Sequence, residues 1–325
     1  MEADPHYFRG APKIRQIQIS IVPNYQTLLT LWQTQQLDYA VVRSNAGIRA
    51  LDVVRAVAGT QVVLRTHAEF DFVLFNQMSP ALRELAVRRA IVQAIDRRAI
   101  MSELAGELWV TAEGDRTPGQ FAYDPTLRQP AYDPAAAMRT LEAAGWRLEN
   151  GARRKNGVAL QLEMVSTTES PMQDRFDLIV QQQLARVGIG ISLRSYAYNI
   201  MWAAASEGGI YRAGRFDLSF SGWQPNGVND HSYLFRCDTR PPAGDNLSRL
   251  CDPQIDAAAR EELGTADPQR EAEADRAITR RLVEQSDILF LGFNREAVAY
   301  NASLAGIAPA YTGLHLWNAW EWRWK

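Results

Sequence analysis

Long apolar runs are absent from this sequence. No stretch of about 18 or more apolar residues occurs, so no helix is expected to span a membrane. An excess of positive charge is absent too. The 35 basic and 37 acidic side chains leave a net charge of −2 with no basic stripe to neutralise phosphates, so nucleic acid is not an expected partner. The N-terminus, MEADPHYFRGAPKIRQ, lacks the apolar stretch of a signal peptide. As written, the chain is expected to stay where it is made or to have lost a leader. Histidine is scarce: His6, His67, His231 and His315 are scattered, and none stands at metal or triad spacing from a Cys, Ser or carboxylate. Surface or structural roles are expected for all four. No GxGxxG follows a strand and no Walker loop occurs, so no nucleotide cradle is indicated. Most acids sit in helices or caps and no general acid/base pair can be defended. These absences point to a binding protein, not an enzyme, with no metal and no cofactor.

Cysteine is nearly missing. The two present, Cys237 and Cys251, lie close together in RCDTRPPAGDNLSRLC, separated by loop residues. Two readings are open: unrelated buried thiols, or a disulfide stapling a loop poor in apolar anchors, which would imply an oxidising compartment. Zinc is disfavoured, because only His231 is near enough to add to two sulfurs.

What is present is a 325-residue chain, 46% hydrophobic, suited to one or two globular domains. Ile14 to Val22 alternates like a strand, Tyr25 to Gln36 reads as a helix, and LDYAVV as a strand. Ala46 to Ala58 looks helical, and QVVLR and FDFVLF are two further strands. Pro80 to Leu104 has helical spacing at Leu85, Ile91, Val92, Ile95, Ile100 and Leu104, with arginines on the opposite, solvated face. Asp133-Pro134 opens a helix as N-cap and first helical residue, and Gly145 closes it. GARRKNG is a basic turn before the strand ALQLEMV. Met172 to Val187 is helical, GIGISLRSY a strand, and a short helix contains Trp202. Asp252-Pro253 and Asp267-Pro268 start two more helices, the second ending near Gln285. ILFLGF is a buried strand, and the aromatic tail WNAWEWRWK is loop-like. Strands alternating with helices indicate an α/β architecture. Within it, FDLSFSGWQPNGVND (Phe216 to Asp230) begins as a strand, breaks at Gly222, exposes a tryptophan and continues into turn formers and amides. That is a plausible wall for a ligand.

Several segments together resemble bacterial extracellular solute-binding proteins of family 5. These are DPHYFRGAPKIRQIQISIVPN with LWQTQQLDYAVV, where Gln36 replaces the family's usual glycine, then LRELAVRRAIVQAIDRRAI, YDPAAAMRTLEAAGW, VGIGISLRSY and GRFDLSFSGW. The resemblance covers nearly the whole chain. It implies a periplasmic-binding-protein-like fold of type II, with mixed sheets flanked by helices. Family members are longer, so the chain is expected to comprise the C-terminal part of lobe I (1–70), a complete lobe II that binds ligand (71–293), and a return segment to lobe I (294–325). An apolar surface is expected where the remainder of lobe I packs. The implied function is that of a periplasmic substrate-binding component of an ABC importer. It would capture a peptide-like or other small polar solute between its lobes for a membrane permease. The full protein is expected to be monomeric and this chain alone to self-associate. A sensor or interaction module that kept the fold is the alternative.

Some members carry a cysteine pair in the equivalent loop, so the resemblance also implies the disulfide Cys237–Cys251. In the family the segment after Gly-Trp faces the ligand. Trp223 would offer an apolar face, with Gln224, Asn226, Asn229 and Asp230 as polar contacts, Phe220 beside them, and Arg295 as a cation for a carboxylate. Peptide binders carry an acid three residues after the tryptophan and can carry arginine three before it. Here these positions are Asn226 and Phe220, so this wall is expected to be more neutral than the family norm.

Overall fold

The structure, a computed structural model, describes residues 1–47, 49–168, 170–224, 232–308 and 315–325. Its contacts divide the chain into two compact units. The first is formed by Met1–Ala68, Ser102–Val110 and Phe293–Lys325, the second by Glu69–Met101 and Thr111–Gly292. Ser102–Val110, expected within the second lobe, falls in the first unit. Two long strands, β2 and β6 in the numbering below, each run from one unit into the other.

In the first unit, β1 (Tyr39–Val42) pairs antiparallel with the far end of β6 (Ile288–Asn301), in the register Tyr39↔Tyr300 to Val42↔Ala297. β6 in turn neighbours β2 (Thr60–Phe75). The Tyr25–Gln33 helix is capped by Asn24, whose side chain accepts from the Thr27 amide at 2.9 Å. Its Trp32 joins Ala40, Val42, Leu51, Val54, Leu108, Ala297 and Ala299 in one buried cluster.

The second unit holds a mixed sheet. β2 pairs antiparallel with β5 (Leu218–Trp223) from Phe70↔Trp223 to Phe75↔Leu218, and β5 lies parallel to β3 (Gln161–Thr167). β3 is parallel to β4 (Gly190–Tyr196). Among the helices here, Asp133, Asp252 and Asp267 each cap a helix with proline at its start, accepting from Ala136, Gln254 and Gln269 amides as the Asp-Pro pairs predict. Gly145, at φ 88°, follows the first of these in the left-handed conformation that glycine allows. The two cysteines are bonded, Cys237 to Cys251. Closing a loop of this length stabilises by about 3 kcal/mol on the chain-entropy account. Reduction, or Cys237→Ser with Cys251→Ser, should therefore lower urea-unfolding stability by about 3 kcal/mol.

Four expectations are corrected. The segment Ile14 to Val22 is not a strand: alternation alone does not make one, since a strand needs a hydrogen-bonded neighbour. Among the described residues this segment has one isolated bridge, Glu2↔Gln16, and Ile19 and Ile21 are 61% and 96% exposed. The single helix expected from Pro80 to Leu104 is two, Leu85–Ala94 and Arg97–Ala105. Asp96 interrupts it because its side chain accepts from the Ala99 amide at 3.0 Å, competing with the continuing helix. The arginines of that run are not all solvated. Arg88 and Arg97 are 5% and 8% exposed, held by the carbonyls of Leu82, Gln285, Ala112 and Phe290. The basic turn at GARRKNG is part of a small three-stranded sheet, in which Arg153 is fully buried against the Val187 carbonyl and Glu142.

Candidate functional site

The strand β5 places the residues singled out above. Side chains alternate along it, so Phe220 and Gly222 share one face while Ser219, Ser221 and Trp223 share the other. Phe220 is turned inward: its ring meets Phe176 of the Pro171–Arg186 helix edge-on at 5.0 Å, and its carbonyl accepts from Gln173 Nε2 at 3.1 Å. Phe220 is therefore a packing residue, brought to the opposite face from Trp223. Trp223 is half-buried opposite Phe70, and its indole N–H is enclosed without an acceptor among the described residues. Gln224 follows it and is exposed. Asn226, Asn229 and Asp230 lie outside the described residues. Arg295 belongs to the first unit, where it adds to the field on Glu107; that carboxylate is paired with Arg55 at 2.9 Å.

Sequence reading missed two carboxylates at this strand end. β2 runs antiparallel to β5 with Asp71 opposite Gly222, and Glu69 shares that face two residues earlier. A Cβ placed on Gly222 would come within 2.4 Å of Asp71 Oδ1 and 3.0 Å of Glu69 Oε1. The glycine therefore makes room for two acids, one of them, Asp71, only 3% exposed. These two acids lie on the face of β5 opposite Trp223. Only the cross-strand register brings these residues together, and no local motif announces it. Gly222→Ala should displace the buried carboxylate and cost about 1–3 kcal/mol in a urea-unfolding measurement.

A second polar cluster was missed in the first unit, where two of the scattered histidines meet. Glu296, fully buried on β6, is bonded to Arg65 and lies 2.7 Å from Arg43 Nε. Its carboxylate is 3.8 Å from both His67 and His315. Burial opposes the charge of Glu296, but Arg65 and Arg43 outweigh it and hold the carboxyl below its usual range. Burial, aided by the two arginines, lowers His315, and burial pushes the nearby Tyr39 up to about 12. This is the geometry of a charge network that fixes structure. A cavity of about 720 Å³ in the same unit is lined by Tyr39 and His315, but otherwise mostly by apolar groups such as Ile17, Ile19, Trp317 and Trp322. Its polar lining among the described residues is Gln18, Ser20, Tyr39 and His315. No group of three or more potential metal ligands occurs among the described residues, and no helix there is long and apolar enough to cross a membrane.

A two-unit α/β chain built on a mixed sheet is the fold of a type II periplasmic binding protein. Residues 1–244 match the family described as bacterial extracellular solute-binding proteins, family 5, and the chain belongs to that family. A Brucella ovis protein named as an ABC transporter peptide-binding protein is 27% identical over 281 residues, covering 82% of this chain and 49% of its own length. The nickel-binding periplasmic protein of Escherichia coli is 24% identical over 317 residues, covering 94% and 58%. Among solved structures, NikA of Brucella suis in complex with Fe(III)-EDTA superposes with a TM-score of 0.85 at 21% identity, covering 98% of this chain and 64% of that one. The chain spans about half the length of the curated relatives it matches.

Proposed function

We propose that this chain is part of the periplasmic substrate-binding component of an ABC importer, and that it presents the end of β5 to a peptide-like or other small polar solute. The observation that carries this reading is Trp223. An indole at the end of a central strand, half-buried, offers a ligand a flat apolar face, and its N–H has no acceptor among the described residues. Gln224 supplies an exposed amide beside it, and Asn226, Asn229 and Asp230 follow in sequence as further polar contacts. Arg295 is the proposed cation for a carboxylate. Delivery would be to a membrane permease, and the component acts by binding, with no catalytic step.

The test is a thermal-shift screen of this chain with di- and tripeptides, opines, sugars and divalent metals. A bound class raises the melting temperature in a concentration-dependent way. No shift with any of them sinks the reading.

A further inference from the structure

Behind the candidate wall, a carboxyl group is buried with half of its hydrogen-bonding capacity unused. Asp177 lies on the Pro171–Arg186 helix and is 2% exposed. The residues beside it fasten that helix to β5, through Gln173 to the Phe220 carbonyl and Phe176 to the Phe220 ring. From β3, the Ser166 hydroxyl hydrogen-bonds the carboxyl, and is itself 3.1 Å from Ser195 Oγ of β4. The other carboxyl oxygen, Oδ1, is enclosed with no partner among the described residues.

The charged and titratable groups around Asp177 do not favour an anion there. Asp174, one turn earlier on the same helix, is a second carboxylate that acts on it. Tyr211 is a neutral phenol whose hydroxyl meets Ser219 Oγ at 2.7 Å; Ser219 is on the opposite face of β5 from Phe220. The ion pair Glu163–Arg194, at 2.6 Å, occupies the opposite-face positions of β3 and β4 from Ser166 and Ser195. An ionised carboxylate in this setting has lost its hydration and regained one hydrogen bond, whereas the neutral acid has far less hydration to lose.

We propose that Asp177 is a proton-binding site built into the packing of the Pro171–Arg186 helix on the sheet, a pH-sensitive latch that holds the second unit more firmly in mildly acidic than in mildly alkaline solution. Burial is the main cause, and it pushes the carboxyl up to about 7 from 3.8, against the weaker pull of the Ser166 hydrogen bond. A raised folded-state value means that the folded unit keeps the proton where an unfolded chain has released it. The stabilisation is complete below about pH 4 and is lost as pH rises through about 7. Asp287, raised to about 6 mainly by burial, contributes in the same direction over a lower window. The comparison must therefore be made between chains and not within one.

The experiment is urea unfolding of the full chain at pH 6 and pH 8, native and Asp177→Asn. Between these pH values the native folding constant should fall about tenfold more than that of the variant, because a group with a midpoint near 7 loses about that factor. The variant, isosteric and uncharged, should be the more stable chain at pH 8. Equal pH dependence in the two chains, or a variant that is less stable at pH 8, overturns the proposal. If Asp177→Asn fails to fold, the side-chain carboxyl of Asp177 is followed by carbon NMR in the native chain. A midpoint near 7 upholds the proposal and one near 4 ends it. Neither readout involves a solute, so the latch and the transport reading stand or fall separately.

Discussion

Arg116→Met should cost about 3–5 kcal/mol of folding stability, the price of leaving buried charge without its partner. Arg116 is 6% exposed, and its guanidinium lies 2.5 Å from Asp275 and 3.5 Å from Asp115. Both carboxylates are almost wholly enclosed, at 0% and 1% exposure, and Thr279 donates to Asp115 at 2.9 Å. Burial works against the charge on Arg116, but the two aspartates more than offset it and hold its ionisation above the usual value. Methionine fills much of the same volume, so the loss would be electrostatic and not a cavity. That distinction can be measured. Combining Arg116→Met with Asp115→Asn and Asp275→Asn should recover most of the loss. No recovery in the triple variant would show that packing was responsible.

That cluster also marks what the sequence could and could not disclose. Hydrophobic period and the Asp-Pro pairs were sufficient to place the helices starting at Pro134, Pro253 and Pro268, because those signals are local. The family motifs were legible for the same reason. Buried arginines were not. Arg88 and Arg97, expected on a solvated face, are buried, as are Arg65, Arg116 and Arg153, each against groups supplied from elsewhere in the chain. Arg88 is satisfied by the carbonyl of Gln285, Arg97 by that of Phe290, and Arg65 by Glu296. Ile14 to Val22 shows the reverse case, with the correct alternation but, among the described residues, only an isolated bridge to Glu2. The candidate site divides along the same line. Trp223 stood out because Gly-Trp ends a strand pattern, but the acids facing Gly222 depend on how β2 registers against β5. The inward turn of Phe220 likewise depends on which face the Pro171–Arg186 helix covers.

If β5 ends in a solute wall, Trp223→Ala should weaken solute binding by about 2–4 kcal/mol, the range of a central aromatic anchor, and so remove most of a ligand-induced rise in melting temperature. Loss of the indole also removes packing opposite Phe70, so a drop in binding could reflect a disturbed strand. Trp223→Phe separates the two effects. It keeps an aromatic face and the packing but deletes the N–H, which has no acceptor among the described residues. Among the described residues, deleting that donor leaves no acceptor unsatisfied, so the stability of the solute-free chain should be nearly unchanged. Binding should fall by about 1 kcal/mol, the net contribution of one hydrogen bond, or about fivefold in affinity. The informative result is the contrast. A phenylalanine variant that is as stable as the native chain but binds several-fold more weakly assigns the indole N–H to the solute. If Trp223→Phe and Trp223→Ala both bind as well as the native chain, the tryptophan is a packing residue and the wall must be sought elsewhere.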